Sequence, residues 1–214
     1  MKTAVILAGG KGTRLKPLSL SRPKPLFPLC NRPIIDYIIE LVKRNGFDRL
    51  IVIVRYLGDM IRSFLNENNI NAIIPNIDPL DTADAIRKIS NLLSGNFLVT
   101  MGDVLAEVNL REFYNYHLLK KGIATIALRP VENPLEYGLV ILDKNSRIVL
   151  FLEKPITQEI YFASIAFLSP NYLSHENLVN TGFYMFNEEI LDIVVEKKFL
   201  MDWGKHVFPY LLEN

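Results

Sequence analysis

The chain has 214 residues, a length that suits one domain or a domain with a small appendage. It carries 24 Lys and Arg against 23 Asp and Glu, so no global charge draws it to nucleic acid or to a membrane surface. Half of the residues are hydrophobic, ample for a large core, yet no apolar run reaches the ~18 residues that a membrane span needs. The single cysteine, Cys30, excludes an internal disulfide and fits a reducing compartment. With no basic partner in Phe27-Pro28-Leu29-Cys30, it reads as a small packed residue rather than a nucleophile. No signal-peptide pattern precedes the first apolar run, so the expected compartment is the cytoplasm.

In chain order, an apolar strand is expected at Thr3–Leu7 and runs into Ala8-Gly9-Gly10-Lys11-Gly12-Thr13-Arg14-Leu15. Glycines let backbone N–H groups approach a ligand closely, and N–H groups that point the same way form an anion-binding nest. Lys11, Arg14 and then Lys24, in Arg22-Pro23-Lys24-Pro25-Leu26, add the positive charge that polyphosphate requires. The loop is neither a Walker pattern nor a dinucleotide fingerprint. The helix expected at Pro33–Asn45 places Ile34, Ile35, Ile38, Leu41 and Val42 at helical spacing, with Gly46 to stop it. Strands follow at Arg49–Val54, Asn71–Ile74 and Asn96–Met101, with helices at Gly58–Asn68, Thr82–Leu93 and Leu110–Lys121. The second half changes rhythm. Strands are expected at Ile123–Val131, Gly138–Asp143, Ile148–Leu152 and Val179–Phe186, and helices near Glu188–Lys198 and Trp203–Glu213.

Alternating β and α elements predict an α/β fold with a mostly parallel sheet covered on both faces. Ligands of such sheets bind beyond the carboxyl ends of the strands. Loop 8–16 and the Gly102-Asp103 turn would both lie at that edge. A carboxylate just past a strand end, as at Asp103, can hold a hard cation such as Mg²⁺. Asp81 can cap the helix that follows it or turn its carboxylate to a ligand. His117, His175 and His206 show no metal-ligand spacing and read as surface or packing residues. The stretch Tyr161–Tyr172 is rich in apolar and aromatic residues and fits a lid, a dimer surface or core.

Ala8-Gly9-Gly10-Lys11-Gly12-Thr13-Arg14-Leu15-Lys16-Pro17-Leu18, followed by Pro23-Lys24-Pro25-Leu26, resembles the signature of the sugar-phosphate nucleotidylyltransferases. The resemblance runs through nearly the whole chain and implies a Rossmann-like mixed, mostly parallel sheet. The implied reaction joins a nucleoside triphosphate to a sugar 1-phosphate and releases pyrophosphate. The resemblance places Leu7, Ala8, Gly9, Gly10, Gly12 and Thr13 around the nucleotide, with Asn76, Asp81, Thr82 and Gly102 beside them. It assigns Arg14 to the β- and γ-phosphates, Lys24 to the α-phosphate, and Asp103 to Mg²⁺. For the acceptor it implies Gly138, Glu153, Lys154 and Asn180, on Tyr137-Gly138, Glu153-Lys154-Pro155 and Asn180-Thr181-Gly182. A nucleotide-binding part at about 1–110 and a sugar-phosphate part at about 111–214 are expected within one domain.

The sequence also departs from the family pattern. Asn76-Ile77-Asp78-Pro79-Leu80-Asp81-Thr82-Ala83-Asp84-Ala85 has Asn where relatives have Gln, and Asp where they have two glycines. Asp81 as a ligand would suit a guanine edge, which presents two donors. The family's second metal motif, Trp-x-Asp-x-Gly, does not occur up to Asn214, nor does a C-terminal β-helix or lid. The second ligand would then lie in a continuation of the chain or elsewhere. Met201-Asp202-Trp203-Gly204-Lys205-His206-Val207-Phe208-Pro209 resembles a segment of mannose-1-phosphate guanylyltransferases, which tilts the expected pair to GTP and mannose 1-phosphate, with glucose 1-phosphate and dTTP or UTP close behind. A non-catalytic homologue that binds a nucleotide sugar is the alternative. Homo-oligomers are compatible with the sequence.

Overall fold

A computed structural model describes residues 1–169 and 171–214, with the backbone alone at 173–176. Strand β1 (Thr3–Ala8) is buried at every position. After a two-stranded ribbon, β2 (Pro28–Leu29) and β3 (Arg32–Pro33), helix α1 spans Ile34–Arg44. It begins just past Pro33, and Gly46, at φ +82°, ends its last turn. Then come β4 (Arg49–Val54), α2 (Gly58–Glu67), α3 (Thr82–Lys88), β5 (Phe97–Met101) and α4 (Leu110–Lys120). The second half holds β6 (Ala124–Pro130), β7 (Gly138–Asp143), β8 (Ile148–Glu153), α5 (Thr157–Ala166) and β9 (Tyr172–Phe186). It closes with α6 (Glu189–Glu196), a π-turn at Trp203–Val207 and α7 (Phe208–Glu213).

One mixed sheet of seven strands runs through both halves in the order β4-β1-β5-β9-β7-β8, with β6 paired to β9. β1 is parallel to β4 and β5, while β9 is antiparallel to β5, β6 and β7. Strands β1, β4, β5, β6 and β7 therefore point one way and β8 and β9 the other, a mixed sheet with most strands co-directional. Period-two alternation sends Val5 and Leu7 to one face and Ala4, Ile6 and Ala8 to the other. The first face packs on Ile86, Ile190, Trp203 and Phe208. The second packs on Ile35, Ile38, Ile61 and Leu110. Helices thus cover both faces, which is why the central strands read as continuous apolar runs.

Several expected elements change. Asn71–Ile74 is not a strand; only Ile73 bridges Ile51, while Ala72 and Ile74 pack their side chains against one core face without extending the ladder. The helix expected at Thr82–Leu93 ends at Lys88 and tightens into a 3₁₀ turn at Ser90–Leu92. β9 starts seven residues before the expected Val179, its first part held by β7. The apolar stretch near Tyr161 is helix α5, not core, and leaves Tyr161, Phe162 and Leu168 more than 60% exposed. Cys30 is exposed rather than packed, at the tip of the β2–β3 ribbon with φ +48°. Among the described residues no helix is long and apolar enough to cross a membrane.

Candidate active site

The carboxyl ends of β1 and β5 meet at one edge. Gly102 N–H donates to the Leu7 carbonyl at 2.8 Å, joining the loop after β5 to the last turn of β1. A Cβ on Gly102 would lie 3.0 Å from the Ala8 Cβ and 3.1 Å from the Leu7 oxygen, so only glycine lets the two chain segments approach this closely. The tight junction aims Asp103 at the phosphate loop, where its carboxylate meets Lys24 Nζ at 2.9 Å. Lys24 opens a 3₁₀ turn over Lys24–Leu26, anchored by the buried Pro25 and Leu26. Gly12, at φ +58°, turns the loop back so that its Cα faces the Lys24 and Ser19 side chains. Tyr56 braces the far side by donating its hydroxyl to the Ser19 carbonyl at 2.9 Å. Thr13 and Arg14 lie on the 3₁₀ turn Thr13–Leu15.

Gly9 sits against Arg55, whose guanidinium pairs with Asp78 at 2.6 Å. Gly10 faces open space, and Asn76 is exposed. Asp81 caps α3, its carboxylate accepting the Thr82 N–H at 2.8 Å. Partial loss of solvent pushes the Asp81 carboxyl above its ordinary value, and nearby Asp202 adds to that. The Thr82 N–H and Lys205 pull it down. Asp84 is not a ligand but a buried brace. It accepts the Leu80 N–H at 2.8 Å and pairs with Arg87 at 2.8 Å.

On the acceptor side β7 and β8 pair with Gly138 opposite Glu153. Lys154 takes a left-handed turn at φ +51°, and its N–H donates to the Tyr137 carbonyl at 2.9 Å. Burial pushes the Glu153 carboxyl up, Asp202 adds to that, and Lys154 and Lys205 oppose it. Asn180 is held at both ends of its amide: it accepts the Gly182 N–H at 2.8 Å and donates to the buried Tyr184 hydroxyl at 2.8 Å. Burial drives the Tyr184 hydroxyl well above its ordinary value, so it stays protonated as a fixed hydrogen-bonding group. Gly138, Glu153, Asn180, Thr82 and Asp202 share the wall of one open cleft of about 1040 Å³. Arg14 reaches toward that wall and lies 3.5 Å from Glu136.

The structure therefore brings Gly12, Lys24, Gly102 and Asp103 into one cluster and Thr82, Gly138, Glu153 and Asn180 into another, both at the sheet's working edge. Asn76 is exposed and is not among the residues that line the cleft. Glu136, Asp202, Gly204 and Tyr184 were not singled out by sequence. The resemblance of segment 201–209 is the signal that could have found Asp202 and Gly204. The histidines are structural where described. His117 is 2% exposed between Thr125 and Asn96, and His206 Nδ1 accepts the Asp202 N–H. The His175 side chain lies outside the described residues.

For the magnesium expected from the resemblance, the donor set is one carboxylate. Among the described residues no group of three His, Cys, Asp or Glu could hold a metal by itself. One carboxylate at an anion-binding loop fits a cation that arrives with phosphate oxygens as its other ligands, the usual mode for Mg²⁺.

A glycine-bearing loop and a Lys24–Asp103 pair at the carboxyl ends of co-directional strands place the chain among α/β proteins with an open site at the sheet edge. Residues 3–214 match the family model described as nucleotidyl transferase, and the chain belongs to that family. It is 31% identical to a UTP–glucose-1-phosphate uridylyltransferase of Synechocystis, over 99% of this chain and 55% of that protein. It is 32% identical to mannose-1-phosphate guanyltransferase beta-B of Xenopus laevis, over 99% and 56%. The chain thus spans a little more than half the length of these curated relatives. The crystal structure of HddC from Yersinia pseudotuberculosis superposes with a TM-score of 0.75 at 26% identity, covering 98% of this chain and 86% of that one. The same protein complexed with GMP-PN gives 0.74 at 25% identity, with the same coverage.

Proposed function

We propose that the chain catalyses transfer of a nucleotidyl group from a nucleoside triphosphate to a sugar 1-phosphate, giving a nucleotide sugar and pyrophosphate. The observation that carries this reading is the Lys24–Asp103 pair, 2.9 Å apart where the ends of β1 and β5 are locked together. It sets a phosphate-seeking cation and a cation-seeking carboxylate side by side. An oxygen of the sugar phosphate attacks the α-phosphorus in line as the bond to pyrophosphate breaks. That oxygen is already anionic, so no general base is required, and catalysis rests on positioning and charge stabilisation. The backbone of Leu7 to Gly12, with Thr13 and Gly102, lies along the nucleotide. Arg14 steadies the leaving pyrophosphate, and Lys24 the α-phosphate. Lys154 holds the acceptor phosphate, and Glu153, Gly138 and Asn180 flank the sugar.

Asp103 is the protein ligand for Mg²⁺, which when bound neutralises charge on the phosphates. Residues to about 110 form the nucleotide-binding part and the rest the sugar-phosphate part of one domain. GTP and mannose 1-phosphate are the favoured pair, supported by the names of the guanyltransferase relative and of the GMP-PN complex. Asn76, Asp81 and Thr82 lie on the base side, and Asp81 can meet the two donors of guanine by releasing the Thr82 N–H. The uridylyltransferase relative keeps UTP with glucose 1-phosphate as the competitor pair. The test is pyrophosphate release from GTP, UTP, dTTP and ATP, each with mannose and glucose 1-phosphates. Turnover is expected, fastest with GTP. Binding without turnover in any pair would favour a non-catalytic homologue. An Asp81→Gly variant with unchanged preference among triphosphates would remove Asp81 from base selection.

A further inference from the structure

Within the cleft, the first turn of α3 and the Glu153 carboxylate are tied by one short stretch of chain, Asp202 to Gly204. On the nucleotide side, the Asp202 carboxylate accepts from the Thr82 hydroxyl at 2.9 Å, and the Trp203 N–H donates to the Thr82 Oγ1 at 3.1 Å. The Met201 carbonyl accepts the N–H groups of Ala83 and Asp84 at 2.8 and 3.2 Å. The first turn of α3 is thereby fastened to this segment. On the acceptor side, a Cβ added to Gly204 would lie 2.6 Å from Glu153 Oε2, inside contact distance. A Cβ on Gly138 would lie 3.0 Å from the same oxygen. The Glu153 carboxylate thus rests in a slot that exists because two facing residues have no side chain. Gly204 is buried and its φ is not left-handed, so conformational freedom does not explain a glycine there. Space for the carboxylate does.

We infer that Gly204 is a positioning residue of the acceptor site: its missing side chain sets where the Glu153 carboxylate lies, while the Asp202–Thr82 clasp holds Gly204 in register with the first turn of α3. The inference rests on the reading of Glu153 as a sugar contact. The atom that a Cβ would strike is the far end of a flexible side chain, so Gly204→Ala displaces the carboxylate and leaves the core intact. A merely structural glycine would behave differently, lowering stability and affecting both substrates alike.

The experiment compares wild type, Gly204→Ala, Glu153→Asp and the double variant, with GTP and mannose 1-phosphate as probes. Gly204→Ala is expected to raise KM for mannose 1-phosphate on the order of tenfold. The GTP KM should stay within about twofold and the melting temperature within about 2 °C. In the double variant the shorter aspartate clears the new methyl, so the further loss expected from adding independent effects does not appear. Equal rises in both KM values, no rise in either, or additive losses would overturn the inference. A readout without substrate runs beside it. The ¹³C titration of the Glu153 carboxyl should move down toward the ordinary glutamate value in Gly204→Ala, as the group is pushed out of its slot among Asp202, Lys154 and Lys205. An unmoved titration overturns the inference even if wild type proves inactive. Inactive wild type with a moved titration removes the proposed reaction and keeps the positioning role.

Discussion

Lys24 and Asp103 show how little a site needs when the substrate supplies the rest. The pair is about one-third exposed, so its own attraction is worth little to the fold. In the proposed reaction its value lies in what replaces it, a triphosphate on Lys24 and a cation on Asp103. Lys24→Met should therefore lower kcat by about 10²–10³-fold while leaving the melting temperature nearly unchanged, as steady-state pyrophosphate release and thermal unfolding would show. Glu153 behaves in the opposite sense. Its carboxyl titrates above the ordinary 4.5, so the folded state binds its proton more tightly than the unfolded chain does. The contribution of this one group to stability is full below 4.5 and is lost as pH rises through the raised value. Glu153→Gln should raise the melting temperature at pH 7 by about 1–3 °C, a gain that fades in melts run below that ordinary value. The substitution should at the same time weaken sugar-phosphate binding.

Among elements, α3 is short and strongly fastened. Asp84, 4% exposed, lies where relatives place a glycine. It holds Leu80, Arg87 and Lys88 together, and Arg87 carries the link on to the carbonyls of Val194 and Leu200. The departure from the family pattern at this position is a change in scaffolding. Asp84→Ala would leave Arg87 buried without its partner and should cost about 3–5 kcal/mol, read from urea unfolding. Residue patterning made most elements legible, because β1, β4, β5 and α1 bury continuous or regularly spaced apolar residues. It failed at α5, whose apolar residues carry no helical periodicity, and at Asn71–Ile74, where β-branched residues join the sheet at one bridge only. The site divides the same way. Gly12, Lys24, Asp103 and Glu153-Lys154 sit in local motifs and could be named from sequence. Asp202 and Gly204 act across more than a hundred residues or from the end of another element, where no local pattern records the contact.

For the whole molecule, one sheet runs through both halves, so the proposed nucleotide and acceptor sites face each other across strands rather than across a hinge. A lone carboxylate joined to Lys24 holds a divalent cation weakly until phosphate oxygens arrive. Magnesium alone should therefore leave the melting temperature unchanged within about 1 °C. GTP with magnesium should raise it by about 5–10 °C at a hundredfold excess over Kd. EDTA should abolish both that rise and pyrophosphate release. A large shift with magnesium alone would mean a fuller metal site than Asp103 provides. The central strands β1, β4 and β5, helix α1 and the motifs around Gly12, Lys24, Asp103 and Glu153 could be read from sequence alone, since each depends on neighbours within a few residues. The tertiary structure decided that Asp81 caps, that Asp84 braces, and that Gly204 opens a slot for Glu153. Those depend on which distant atoms share a wall, and packing of the two sheet faces is what brings them there.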